Sequence, residues 1–300
     1  MANEPRTVRS LAFVPAHDTD RIVAAAACGM DGLCLDLEDL TPLAGKEDAR
    51  RVFPDVARRL VDLGVTVFAR SNSIAGGMGR ADLEAIVVPE LHCVSIPKTN
   101  DAEDVRTFCA VLDEVERAAG LEPGHVLVRP IIETAAGVRS AFEIASASPR
   151  IAYMGGVSGG WWGDLSSALG YVPTRAGHET FYVRSKVLVD VRAAGVPFPI
   201  GGGTLGSSDP DDLRAYALEN RVLGYEGFHC APTAEAVRIV NEVFTPTREE
   251  VDGWLAVLPA LEQAERDGLT ALELDGVFYD LAGLVKVRRG LDLARRVGLL

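Results

Sequence analysis

Gly32-Leu33-Cys34-Leu35-Asp36-Leu37-Glu38-Asp39 joins an apolar run to three acids, and a helix-periodic stretch at 46–60 follows it. A short apolar run with no polar alternation suits a parallel strand buried on both faces, and the following helix is its crossover. The same rhythm recurs along the chain. Apolar runs lie at 8–14, 32–37, 65–69, 93–96, 126–132, 151–154, 196–200 and 227–230. Helical patterns follow them at 20–28, 46–60, 81–87, 102–119, 135–147, 179–194, 210–223 and 233–243. Eight such units predict an α/β fold, a closed (β/α)8 TIM barrel of roughly 250 residues, over 1–245. An open doubly wound sheet would place a glycine-rich G-x-G-x-x-G turn after an early strand. Phe13-Val14-Pro15-Ala16-His17 carries none. Beyond the barrel, 246–300 reads as a C-terminal helical extension. Thr245-Pro246-Thr247-Arg248-Glu249-Glu250 starts a helix over 247–267, a strand-like or turn segment spans 271–280, and a last helix covers 282–297.

Composition narrows the function. With 300 residues, 48% of them hydrophobic, the chain can bury a large core and is not disordered. A formal net charge of −13 argues against nucleic acid, which needs clustered cations. The five cysteines form no C-x-x-C pair, as expected of a reducing compartment. No apolar run reaches the ~18 residues of a membrane span, and MANEPRTVRS lacks a signal-peptide core. The expectation is a cytoplasmic protein with neither membrane nor nucleic-acid partner. Glycine, 30 residues, exceeds the usual ~7% and gathers at 76–79, 155–163 and 201–206, where loops leave the strands.

In such a barrel the chemistry sits at the C-terminal ends of the strands. There the sequence places Asp36, Glu38 and Asp39, then Arg70-Ser71-Asn72, Lys98 and Glu133, with Asp164 in the loop after the sixth run. Glu133 reads either as a metal ligand or as a helix-start acid. Asp164 reads either as a metal ligand or as a helix cap. Two carboxylates with water and substrate oxygens form a common Mg²⁺ site. Arg70 can fork onto a substrate carboxylate or carbonyl, or pair internally with Asp36 or Glu38. Lys98 is a Schiff-base candidate or a charged partner of the acids. The five histidines show no H-x-H or H-E-x-x-H spacing, which disfavours zinc hydrolysis. His17 and His229 can line the mouth, and His229 also fits a buried core role. No G-x-S-x-G elbow or phosphate loop is present. Gly201-Gly202-Gly203-Thr204 reads as an anion-binding turn or a plain loop.

In this order the segments resemble the citrate lyase β-subunit-like branch of the HpcH/HpaI aldolase superfamily, which includes malyl-CoA and citramalyl-CoA lyases. The resemblance rests on Arg9-Ser10-Leu11-Ala12-Phe13-Val14-Pro15, Leu35-Asp36-Leu37-Glu38-Asp39 with Lys46, Arg70-Ser71-Asn72, Ile96-Pro97-Lys98, Ile132-Glu133-Thr134-Ala135-Ala136-Gly137-Val138 and Asp164-Leu165-Ser166-Ser167. It implies Mg²⁺ on Glu133 and Asp164, Arg70 on the substrate oxygens, and a homotrimer or homohexamer. It also implies that a tail aspartate completes a neighbour's site, here Asp280 in Gly276-Val277-Phe278-Tyr279-Asp280. A helix cap is the other reading of Asp280. The loop 155–164 is longer than the family's and carries Trp161 and Trp162, which read as an aromatic wall of the substrate site or as loop packing. Cys230-Ala231-Pro232 replaces the common I-H-P.

Together these readings predict a Mg²⁺-dependent carbon–carbon lyase. Its substrate is a 2-hydroxy or 2-oxo acid or its CoA thioester. Arg70 and the metal stabilise the enolate, Asp280 is the acid/base, and Asp36, Glu38, Lys98, Trp161 and Trp162 bind substrate. The alternatives are a same-fold thioester hydrolase or an enzyme of a non-CoA acid, and a non-catalytic metal-binding subunit of a larger lyase complex.

Overall fold

The computed structural model describes residues 4–156, 163–202 and 209–300. The chain divides into two compact units, 1–242 and 243–300.

The first unit is built from eight parallel strands: β1 Ser10–Pro15, β2 Gly32–Asp36, β3 Thr66–Arg70, β4 Cys93–Ile96, β5 Leu127–Pro130, β6 Tyr153–Met154, β7 Phe198–Gly202 and β8 Gly227–His229. Their order is β5-β4-β3-β2-β1-β8-β7-β6. Single bridges from Val128 to Ile151 and from Ile132 to Gly156 join β5 to the β6 segment, which completes the ring. This is the TIM barrel the sequence predicts.

Period-two alternation sorts the strand side chains. Leu11, Cys34, Phe68, Cys93, Leu127 and Tyr153 meet in the interior. Their neighbours Ala12, Leu33, Leu35, Val67, Val94 and Val128 pack with helix residues such as Phe53, Leu83 and Phe108. At the N-terminal end of the interior, the Tyr153 hydroxyl donates to the Arg6 carbonyl at 2.8 Å, accepts from the Arg6 N–H at 2.8 Å and lies 2.9 Å from His92 Nε2.

The surrounding helices are α1 Thr19–Ala26, α2 Lys46–Asp62, α3 Gly79–Ile86, α4 Ala102–Ala118, α5 Ala135–Arg139, α6 Ala141–Ala145, α7 Asp164–Leu169, α8 Phe181–Ala193, α9 Pro210–Leu223 and α10 Ala234–Phe244. Asp101 caps α4 by accepting from the N–H groups of Glu103 and Asp104, and Asp209 caps α9 ahead of Pro210. The single helix expected over 135–147 is instead α5 and α6, broken at Ser140. Gly137 lets α5 start against the β4 loop, since a Cβ there would lie 2.3 Å from the Thr99 carbonyl oxygen.

In the second unit, α11 Arg248–Arg266, β9 Ala271–Leu274, β10 Val277–Asp280 and α12 Gly283–Arg296 follow one another. Thr247 and Glu250 form a capping box on α11. The segment read as strand-like or turn is an antiparallel hairpin. Asp275 and Gly276 both have positive φ, 51° and 77°, as a two-residue Asp-Gly hairpin turn requires. Val251, Leu261, Leu284, Val287 and Leu291 form this unit's own core. No helix among the described residues is long and apolar enough to cross a membrane.

Candidate active site

Alternation carries polar residues into the barrel two positions after the apolar interior layer. Strand register then aligns them: Asp36 pairs with Arg70, Arg70 with Ser95, and Ser95 with Arg129. This row across β2, β3, β4 and β5 lies beneath the acids of the strand-end loops.

Asp36 is fully buried. Its Oδ1 accepts from Arg70 Nε at 2.9 Å and from the Glu38 N–H at 2.8 Å. Its Oδ2 accepts from Arg70 Nη2 at 2.5 Å and from the Leu40 N–H at 3.1 Å. Arg70 Nη1 lies 2.9 Å from Glu38 Oε2. Burial disfavours the guanidinium charge, but Asp36, Glu38 and Glu133 outweigh it and hold Arg70 above its ordinary range. Arg70 therefore makes the internal pairs: Asp36 and Glu38 fix its guanidinium at the mouth.

Lys46 holds the acid-bearing loop. Its buried ammonium donates to the Leu37 carbonyl at 2.6 Å, the Glu38 carbonyl at 2.9 Å and Asn72 Oδ1 at 3.0 Å. Asn72 Nδ2 donates to the same Leu37 carbonyl and to Asp82, and Asp82 pairs with Arg50. In the sequence Lys46 opens a helix and is grouped with residues 35–39 only by the resemblance.

Lys98 has φ 47°, a left-handed conformation that costs about 1–2 kcal/mol outside glycine. In that conformation its backbone N–H donates to Glu133 Oε1 at 2.7 Å. Its ammonium lies 2.6 Å from Glu38 Oε1, 3.1 Å from Asp39 Oδ2 and 3.7 Å from Asp164 Oδ2. Burial opposes the charge, yet Glu38 and Asp39 raise the ammonium above its ordinary range. A Schiff-base amine needs the reverse, so Lys98 is the charged partner of the acids.

Glu133 does not serve the helix it precedes. Thr134 caps α5, its side chain accepting from the Gly137 N–H, and Glu133 turns to Lys98. Burial pushes Glu133 up to about 7; Arg70 and the Lys98 N–H oppose this, while Glu38 and Asp164 add to it. Asp164 is the first residue of α7 and makes no side-chain cap; Gly163 occupies the cap position. The cap reading of Asp164 is thereby corrected. Glu133 and Asp164 are two carboxylates within electrostatic reach of each other at one mouth. No group of three metal-ligating side chains occurs among the described residues. Mg²⁺ needs no such group: one or two carboxylates with water and substrate oxygens hold it, and a divalent cation would relieve the strain on Glu133. The donor set fits.

Trp161 and Trp162 lie outside the described residues. Asp280 belongs to the second unit, where it ends β10, is exposed, and accepts the Ala282 N–H at 2.8 Å. His17 lies 3.3 Å from Thr41 Oγ1. His229 is buried, stacked on Phe13 with ring centroids 4.9 Å apart. Gly203 and Thr204 of the glycine turn lie outside the described residues. The sequence reading missed Arg129 and Ser95. The signal was available: counting by two from Leu127 places a charged residue inside the barrel.

Comparison with known proteins gives the family and the fold. Residues 9–232 match the family HpcH/HpaI aldolase/citrate lyase. A citrate lyase subunit beta-like protein of Deinococcus radiodurans is 31% identical over 290 residues, covering 95% of this chain and 96% of the relative. A (3S)-malyl-CoA thioesterase of Cereibacter sphaeroides is 28% identical over 300 residues, covering 99% and 98%. Among solved structures, protein CitE from Mycobacterium tuberculosis, in complex with magnesium, acetoacetate and coenzyme A, superposes with a TM-score of 0.68 at 25% identity, covering 98% of this chain and 99% of that one.

Proposed function

The chain belongs to the HpcH/HpaI aldolase/citrate lyase family, and on that premise we propose that it is a Mg²⁺-dependent carbon–carbon lyase of a 2-hydroxy or 2-oxo acid or its CoA thioester. The observation that carries this is the placement of Glu133 and Asp164 on either end of Lys98, its N–H on Glu133 and its ammonium 3.7 Å from Asp164, beside a doubly anchored Arg70. The magnesium, acetoacetate and coenzyme A bound by CitE support it.

Glu133 and Asp164 would hold the metal. When bound, Mg²⁺ supplies Lewis acidity at the substrate oxygens. Arg70 is preorganised by Asp36 and Glu38, so it meets the charge of a forming enolate without reorganising. Such a donor is worth several kcal/mol in a site of this kind. Glu38 and Lys98 fix the electrostatics around it, and the Lys98 N–H orients the Glu133 carboxylate. Asp280 of a neighbouring copy moves the proton in a homotrimer or homohexamer.

The test is Glu133→Gln and Asp164→Asn, assayed with Mg²⁺ on malyl-CoA, citramalyl-CoA and free 4-hydroxy-2-oxo acids. Each change should remove cleavage and weaken Mg²⁺ binding in calorimetry. Full cleavage by either variant sinks the metal assignment. The thioesterase relative favours a second reading, thioester hydrolysis; free CoA released without carbon–carbon cleavage would select it.

A further inference from the structure

Arg70 and its two acid partners come from different chain segments, and one buried amide ties those segments together. Asn72 is 6% exposed and follows Arg70 by two residues. Its Nδ2 donates to the Leu37 carbonyl at 2.9 Å and to Asp82 Oδ2 at 2.6 Å, and its Oδ1 accepts from Lys46 Nζ at 3.0 Å. Both amide protons and the amide oxygen are thus engaged. Its backbone N–H donates to the same Asp82 Oδ2 at 2.6 Å. Leu37 stands between Asp36 and Glu38, the two anions that hold Arg70. The Leu37 N–H donates to the Arg70 carbonyl at 2.9 Å. Asn72 therefore makes a second link between the segment that bears Arg70 and the segment that bears its anchors.

Two helices outside the strands supply the partners of this amide. Lys46 and Arg50 lie one turn apart on α2 and face the same way. Lys46 reaches Asn72, and Arg50 reaches Asp82, Nε to Oδ1 at 2.8 Å. On α3, Gly79 packs on the Asn72 backbone, since a Cβ there would lie 2.6 Å from the Asn72 carbonyl oxygen. Asp82, fully buried, follows one turn later. At the size of asparagine, only an amide donates to a carbonyl and a carboxylate while accepting from an ammonium. A carboxylate in its place would face Asp82 and the Leu37 carbonyl with no proton to give. The site thus demands the chemistry of Asn72 as well as its bulk.

We infer that Asn72, backed by Asp82, is a positioning residue for the proposed lyase reaction: it keeps Arg70 and Glu38 in register, so that the guanidinium meets the forming enolate without rearranging. Asn72 acts through the Leu37–Glu38 backbone and the end of β3 rather than on the substrate. This deepens the proposed function and rests on it, because that reading gives Arg70 its task. Electrostatic stabilisation depends on donors fixed before the charge develops, and Asn72 is part of what fixes this one.

The experiment has two arms, both on the full chain. In the first, solvent exchange of the Arg70 Nε–H is followed by nitrogen-15 NMR, its signal assigned by its loss in Arg70→Lys. The Nε–H of Arg9, which donates to Asp31 at 2.8 Å outside this network, is the control. Asn72→Asp should speed Arg70 exchange about tenfold or more and leave Arg9 unchanged, because exchange reports local opening. In the second arm, cleavage is measured with Mg²⁺ on whichever of malyl-CoA, citramalyl-CoA or a 4-hydroxy-2-oxo acid the unmodified protein cleaves. Asn72→Asp should lower kcat about tenfold to a hundredfold, as a misplaced catalytic group does, with KM held within about threefold. Asp82→Asn keeps an oxygen for both Asn72 N–H groups and loses the Arg50 pair. It should fold and show both effects at about threefold, even where Asn72→Asp does not fold. Unchanged Arg70 exchange in a folded variant overturns the inference. Equal acceleration at Arg9, an unchanged kcat, or a loss confined to KM overturns it as well. If the unmodified protein cleaves none of these substrates, the lyase reading fails, while the exchange arm still decides whether Asn72 fixes Arg70.

Discussion

Replacing Asp36 by asparagine should be among the most damaging single-atom changes in the barrel. Each carboxylate oxygen accepts one N–H of Arg70 and one backbone N–H, from Glu38 or Leu40. An amide can turn either way, and in both orientations its NH₂ faces one guanidinium N–H and one backbone N–H. Two of the four bonds are lost, and the buried Arg70 keeps one hydrogen bond to the amide oxygen and the charge of Glu38. Removing one partner of a buried ion pair costs about 3–5 kcal/mol. Urea unfolding followed by circular dichroism, with linear extrapolation, should show a loss in that range at pH 7. Arg70→Met removes the other half, and the double variant should be far less destabilised than the sum of the two, with a coupling of about 2 kcal/mol or more. A loss under about 1 kcal/mol for Asp36→Asn, or additive single effects, would refute the claim that this pair fixes Arg70.

Three more outcomes are expected. Lys98→Gly removes an ammonium 3.7 Å from Asp164 and relieves a left-handed backbone, so calorimetry should show Mg²⁺ binding tightened about threefold to tenfold; weaker binding would contradict the placement of Lys98. Glu133 must ionise to hold a metal, so Mg²⁺ affinity should climb by up to about tenfold per pH unit below about 7 and level off above it; without metal, its raised folded value makes stability fall as pH rises from about 4.5 to 7, a slope Glu133→Gln should remove. Burial, with the charges of Arg6 and His125, lowers His92 to about 4, below its ordinary 6.5. A base lowered in the folded state loses stability as pH falls from about 6.5 to 4, by up to roughly 3 kcal/mol. His92→Gln should flatten that acid limb in urea titrations, and an unchanged limb would exclude His92 as its source.

Much of the barrel was legible because parallel strands buried on both faces read as uninterrupted apolar runs, and the eight runs found β1 to β8. Strand-end position alone identified Asp36, Glu38, Arg70, Lys98 and Glu133, since charged residues directly after such runs must emerge at the mouth. What stayed hidden depends on three-dimensional register or on backbone angles. Ser95 and Arg129 join Arg70 only through strand pairing. Lys98 turns its N–H to Glu133 only through a positive φ that no residue type announces. Asp164 sits where a capping residue would be expected, yet the helix starts one residue earlier than that role requires. Ser140 breaks a helix whose apolar periodicity runs through it.

The most direct test of the central claim is product analysis by carbon-13 NMR after incubating malyl-CoA or a 4-hydroxy-2-oxo acid with the full chain and Mg²⁺. The two carboxylates and Arg70 predict fragments from a broken carbon–carbon bond, absent with Glu133→Gln and absent without Mg²⁺. Intact malate beside free CoA, or undiminished cleavage by Glu133→Gln, would contradict it.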